Sequence, residues 1–117
     1  MPKRRIAIDF DGVLHDYDPS KWEGIGVANG PVVRGAASAM RELGRSYRLT
    51  IYSCRAAHPD GVVAIRKFCA RHGIPYDDIA TNKPAAAMYI DDHGYKFNAW
   101  TPTLRDVRLQ LGKTKKK

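Results

Sequence analysis

The sequence IAIDFDGVLHDY, residues 6–17, opens as a continuous apolar run and breaks abruptly into Asp9-Phe10-Asp11-Gly12. Residues 5–10 therefore predict a buried central β-strand, apolar on both faces, whose carboxyl end opens into a polar site. Gly12 lets the backbone turn closely there.

Downstream, residues 13–31 hold Pro19, Pro31, Gly24, Gly26 and Gly30 around Trp22 without sustained periodicity, which predicts a long irregular loop or flap. Val33, Ala36, Ala37, Met40 and Leu43 recur at helical spacing, with Gly44 as the stop. Residues 47–53 read as a second strand, and residues 59–72 as a helix closed by Gly73. A brief strand at 79–81, the loop Asn82-Lys83-Pro84 and a strand at 87–90 ending in Asp91-Asp92 follow. Residues 94–100 fit a turn or an edge strand, and residues 107–111 a short terminal helix after Pro102. Alternating elements predict a three-layer α/β domain of Rossmann-like type, its mainly parallel sheet carrying helices on both faces and its ligands beyond the carboxyl ends of the strands.

The chain has 117 residues, 44% hydrophobic and 27% charged, which fits one catalytic domain over 1–112 with a basic, flexible tail at 113–117. Cys54 and Cys69 match neither a zinc pair nor a redox dithiol and read as small buried hydrophobes in a reduced, cytoplasmic setting. No apolar run is long enough to span a bilayer, and the start MPKRRIAIDF meets Asp9 too early for a signal peptide, so no membrane partner is expected. A formal charge of +8 favours polyanionic partners, nucleotides or nucleic acid.

Three strand ends carry polar groups: Asp9 and Asp11, then Ser53 and Arg55, then Asp91 and Asp92. In a parallel sheet they converge. Several carboxylates gathered at one sheet edge repel one another and need a compensating cation, and oxygen ligands with an open position point to Mg2+.

The same segments resemble the haloacid-dehalogenase (HAD) superfamily of phosphatases. Residues 6–17 look like its first motif, Tyr52-Ser53-Cys54-Arg55 its second, Lys83 before Pro84 its third, and Tyr89-Ile90-Asp91-Asp92 its fourth, in the required order. The resemblance implies a HAD-like fold and a Mg2+-dependent phosphohydrolase that cleaves phosphate monoesters. Asp9 would be the nucleophile that forms an aspartyl-phosphate, and Asp11 the general acid and base. Ser53 would hydrogen-bond the phosphoryl group, and Lys83 would neutralise its charge. Asp9, the backbone carbonyl of Asp11, Asp91 and Asp92 would hold the metal. Gly12, Arg55 and Lys83 would contact substrate. Arg55 reads equally as a phosphate reader or a surface charge, and His15, Asp16 and Tyr17 equally as an entrance lining or a packed loop start. His93 reads as a turn residue, and Trp22, Tyr95 and Trp100 as packing or base-stacking groups.

Neither interval where HAD relatives insert a cap domain is long enough for one, so the site should be open. With the basic charge, this favours nucleic-acid ends or nucleotides as substrate. The chain is also similar to the 3'-phosphatase part of polynucleotide kinase-phosphatases, through Ser53 and Arg55. A non-catalytic nucleic-acid-binding module, a phosphoacceptor signalling domain and a small-metabolite phosphatase stand as alternatives. Oligomeric state is open.

Overall fold

The computed structural model describes residues 3–82, 84–91, 95, 96 and 99–112. Its elements are β1 (Arg4–Asp9), α1 (Ala36–Gly44), β2 (Tyr47–Tyr52), α2 (Pro59–His72), β3 (Asp78–Ala80), β4 (Met88–Asp91), β5 (Tyr95–Lys96) and α3 (Trp100–Gly112), with short 3-10 turns at Pro19–Lys21 and Cys54–Ala57. The sheet order is β3-β2-β1-β4-β5, and every neighbouring pair is parallel. The protein is thus an α/β domain with a parallel sheet and β1 at its centre.

β1 occupies that centre because Ile6, Ala7 and Ile8 are all fully buried, as an apolar strand flanked on both sides requires. Gly35 starts α1 with φ of +84°, and Gly73 ends α2 with φ of +67° in the left-handed region. Pro59 opens α2 where its missing N–H costs nothing.

Pairing register assigns the sheet's two faces. Ile6 and Ile8 align with Leu49 and Ile51 on β2 and with Met88 and Ile90 on β4, and all six belong to one core with residues of α1, α2 and α3. Phe10 and Phe68 anchor it with an edge-to-face contact at 5.3 Å between ring centroids, about 1 kcal/mol beyond their burial. The other face carries Arg5, Ala7 and Asp9 beside Arg48, Thr50 and Tyr52, with Asp78 bound by Arg48 (3.0 Å) and Thr50 (2.5 Å).

This corrects the three-layer expectation: the three helices share the first face. Two right-handed crossovers advancing in one direction, β1 to β2 to β3, must put α1 and α2 on the same side. The return from β3 to β4 has only residues 81–87, too short for a packed helix. That segment is tied down through Ala87 N–H to the Arg5 carbonyl (2.8 Å) and Tyr89 hydroxyl to the Pro84 carbonyl (2.5 Å).

Other boundaries also moved. α3 begins at Trp100 rather than near 107, since a proline in a first helical turn is tolerated, and Trp100 is a 3% exposed core residue whose indole N–H donates to the Val13 carbonyl. α1 ends at Gly44 as expected, and Arg45 caps it in helical conformation. Residues 95–96 take the edge-strand alternative. Cys69 is buried as expected, but Cys54 is exposed. The tail at 113–117 lies outside the described residues. No helix among them is long and apolar enough to cross a membrane.

Candidate active site

The strand ends meet as the parallel register demands. Ile8 pairs with Ile90, so Asp9 and Asp91, one residue on, stand level at the carboxyl edge of adjacent strands. Asp9 also pairs with Tyr52, the last residue of β2, which places Ser53 one residue beyond that pair. Asp91 is 3% exposed, whereas Asp9 is half-buried and accepts a hydrogen bond from the Phe10 amide (2.8 Å). Ser53 is buried, and its hydroxyl oxygen accepts the Arg55 amide (3.1 Å), capping the short turn that follows. A hydroxyl used as acceptor keeps its own proton to donate.

Gly12 adopts φ of +87°, and its amide donates to the His15 carbonyl (2.8 Å) while the Phe10 carbonyl accepts from Leu14 and His15. This tight turn swings Asp11 and His15 onto one side. Asp11 Oδ2 accepts from Arg55 Nε (2.8 Å), and Oδ1 accepts from Arg55 Nη2 (3.1 Å) and from His15 Nδ1 (2.8 Å). His15 Nε2 accepts the Gly30 amide (2.8 Å), so the ring proton sits on Nδ1 and faces the carboxylate. Burial pushes the Asp11 carboxyl up, but the hydrogen bonds from His15 and Arg55 and the charge of Arg55 outweigh it. The net effect holds Asp11 below the ordinary carboxylate value of 3.8.

Arg55 departs from the expectation of a guanidinium offered to substrate or solvent. It is 1% exposed, and beyond the fork on Asp11 its Nη1 donates to the carbonyls of Ile25 (2.7 Å) and Val27 (3.1 Å). A buried guanidinium needs such partners, and the loop at 16–31 supplies them. Its carbon also lies 4.8 Å from the Trp22 ring centroid and 5.8 Å from that of Phe10. Two glycines make room for this arrangement. A Cβ at Gly61 would run into the Arg55 carbonyl, and one at Gly30 into the Asp16 carbonyl and His15 Nε2.

His15 takes the packed alternative: it is 2% exposed, stacked on Phe10 at 5.4 Å and edge-on to Phe68 at 5.1 Å. Its grip on Asp11 escaped the sequence reading, although the i,i+4 Asp-His spacing across a glycine turn was a usable signal. Lys83, Asp92 and His93 lie outside the described residues, as does the side chain of Tyr95.

Asp9 and Asp91 supply hard oxygen donors of the kind Mg2+ takes, and Mg2+ usually uses one or two carboxylates and completes its shell with water and substrate phosphate. Among the described residues no group of three or more His, Cys, Asp and Glu side chains is gathered to hold a metal. Asp11's carboxylate faces Arg55 and His15 instead. No family model, curated protein or solved structure matches the chain.

Proposed function

We propose that the protein is a HAD-type phosphohydrolase that cleaves phosphate monoesters on nucleotides or nucleic-acid ends through an aspartyl-phosphate on Asp9. The observation that carries this reading is the level placement of Asp9 and Asp91 on adjacent parallel strands, with Ser53 at the neighbouring strand end. Two carboxylates set level at the carboxyl edge of a parallel sheet stand where such sheets bind their ligands, so their juxtaposition favours a site over a structural turn.

In this mechanism an Asp9 carboxylate oxygen attacks phosphorus, the bond from phosphorus to the ester oxygen breaks, and the departing alkoxide takes up a proton. Water then attacks the aspartyl-phosphate, releasing inorganic phosphate and restoring Asp9. Asp9 and Asp91, with Asp92 and the Asp11 backbone carbonyl implied by the resemblance, would hold Mg2+, whose charge would offset that of the phosphoryl oxygens. Ser53 would donate its hydroxyl proton to one of those oxygens, and Lys83 is proposed to face another. Asp11, held ionised by Arg55 and His15, is set up to accept a proton from the attacking water. To protonate the leaving oxygen it must first take up a proton from solvent and loosen from the guanidinium.

The reading is tested by phosphate release, with and without Mg2+, from nucleoside monophosphates, oligonucleotides bearing a 3' or 5' phosphate, and an aryl phosphate. Mg2+-dependent turnover that Asp9→Asn abolishes in a folded protein supports it. Full activity in that variant, with deamidation excluded, removes the nucleophile. If none of these is hydrolysed while oligonucleotides still bind Asp9→Asn normally, the chain is a binding module.

A further inference from the structure

A cleft of about 290 Å³ lies under the loop at 16–31, with His15 and Arg55 as its buried inner wall. Asp9 does not line it. Five large hydrophobic side chains are exposed among the described residues, and three of them, Tyr17 (37%), Trp22 (44%) and Val27 (38%), line this one cleft. The other two, Val63 and Leu109, stand apart on α2 and α3. Apolar side chains scattered singly need no explanation, but three converging on one concavity mark a surface that gains by being covered.

The chemistry of the walls narrows the occupant. Tyr17 and Trp22 meet edge to face with centroids 5.9 Å apart, which fixes both rings, and the Arg55 guanidinium backs the indole. Asp18, Lys21 and Asn29 bring acidic, basic and amide groups to the lining. A ligand that is flat, apolar on its faces and polar at its edges satisfies both sets. The position fits as well. Arg55 and His15 hold Asp11, which is two residues from Asp9 and so at most about 7 Å of chain from the nucleophile.

We propose that this cleft binds the nucleobase of the nucleotide whose phosphate is presented to Asp9, a role that rests on the phosphohydrolase reading. The loop at 16–31 then does the work of a cap: it recognises the leaving group while the phosphate lies outside, at the strand ends. Because Arg55 and His15 back the cleft and also bind Asp11, the cleft is built on the same two side chains that position the proposed base catalyst.

The test uses ligands with no phosphate. Adenosine, guanosine, cytidine and thymidine are titrated by calorimetry into the full chain, into Tyr17→Ala and Tyr17→Leu, and into Asp9→Asn, each shown folded by its thermal melt. At least one nucleoside should bind. Tyr17→Ala should weaken it roughly tenfold, as loss of a base-stacking aromatic does, and Asp9→Asn should leave it unchanged. Absence of nucleoside binding at millimolar concentration would overturn the proposal. So would affinity indifferent to both Tyr17 variants, or equally good competition by ribose 5-phosphate. Phosphate turnover without nucleoside binding would remove the cleft and keep the chemistry. Tyr17-dependent nucleoside binding without turnover would do the reverse.

Discussion

Replacing Arg55 by methionine tests the network around Asp11 most severely. The side chain is 1% exposed, and its loss deletes two charge-assisted bonds to Asp11 and two bonds to the carbonyls of Ile25 and Val27. Methionine keeps much of the length and apolar stem, so the cost is that of leaving a carboxylate and two carbonyls without their partner. Breaking a buried ion pair from one side costs about 3–5 kcal/mol. Asp11 retains 21% side-chain exposure, so water takes over part of the role and the lower end, about 3 kcal/mol, applies. With a urea slope of about 1.5 kcal/mol per molar, the unfolding midpoint should fall by about 2 M. In a double-mutant cycle, Asp11→Asn with Arg55→Met should cost at least about 1 kcal/mol less than the sum of the two single changes. A loss below about 1 kcal/mol in Arg55→Met, or additivity within about 0.5 kcal/mol, would refute the claim that this pair pins the loop to the strand end.

Further outcomes follow from individual residues. Asp11's carboxyl is held below its unfolded value, so its stabilisation is complete above about pH 4 and is lost as pH falls through the lowered folded value. Urea midpoints measured down to pH 2 should therefore fall less steeply in Asp11→Asn than in the parent. Gly61→Ala drives a methyl group into the Arg55 carbonyl and the Ile25 side chain, and should lower stability by about 2 kcal/mol in chemical denaturation; an unchanged midpoint would show that α2 can shift freely. Burial pushes the Cys69 thiol up to about 12, whereas Cys54 is exposed. A disulfide reagent at pH 8 should modify one thiol rapidly in the native chain and the second only on unfolding.

Much of the fold was legible because its signals are local. The apolar run at 6–8 reads as a buried central strand, and Gly73 and Pro59 bracket α2 as their backbone preferences demand. The layer count was not legible, because it depends on how the chain returns from β3 to β4. Seven residues of Ala, Pro and polar groups can cross a sheet face extended as readily as they can begin a helix. Trp100 was ambiguous for a similar reason: an aromatic beside Pro102 gives no sign that the proline lies within the first helical turn.

At the site, the strand-end carboxylates were visible as types at the right spacing, and register then brought Asp9 level with Asp91. The fate of Arg55 was not visible. Burial of a guanidinium depends on carbonyls at Ile25 and Val27, and backbone acceptors leave no trace in side-chain identity. The same holds for His15, whose tautomer is set by an amide fifteen residues away at Gly30.

The central claim is the covalent role of Asp9, and borohydride reduction during turnover tests it most directly. An aspartyl-phosphate trapped in this way is reduced to homoserine, which peptide mass spectrometry can locate. The account predicts conversion at Asp9 alone, dependent on substrate and on Mg2+. Phosphate release with Asp9 unmodified, or conversion at a different carboxylate, would contradict it.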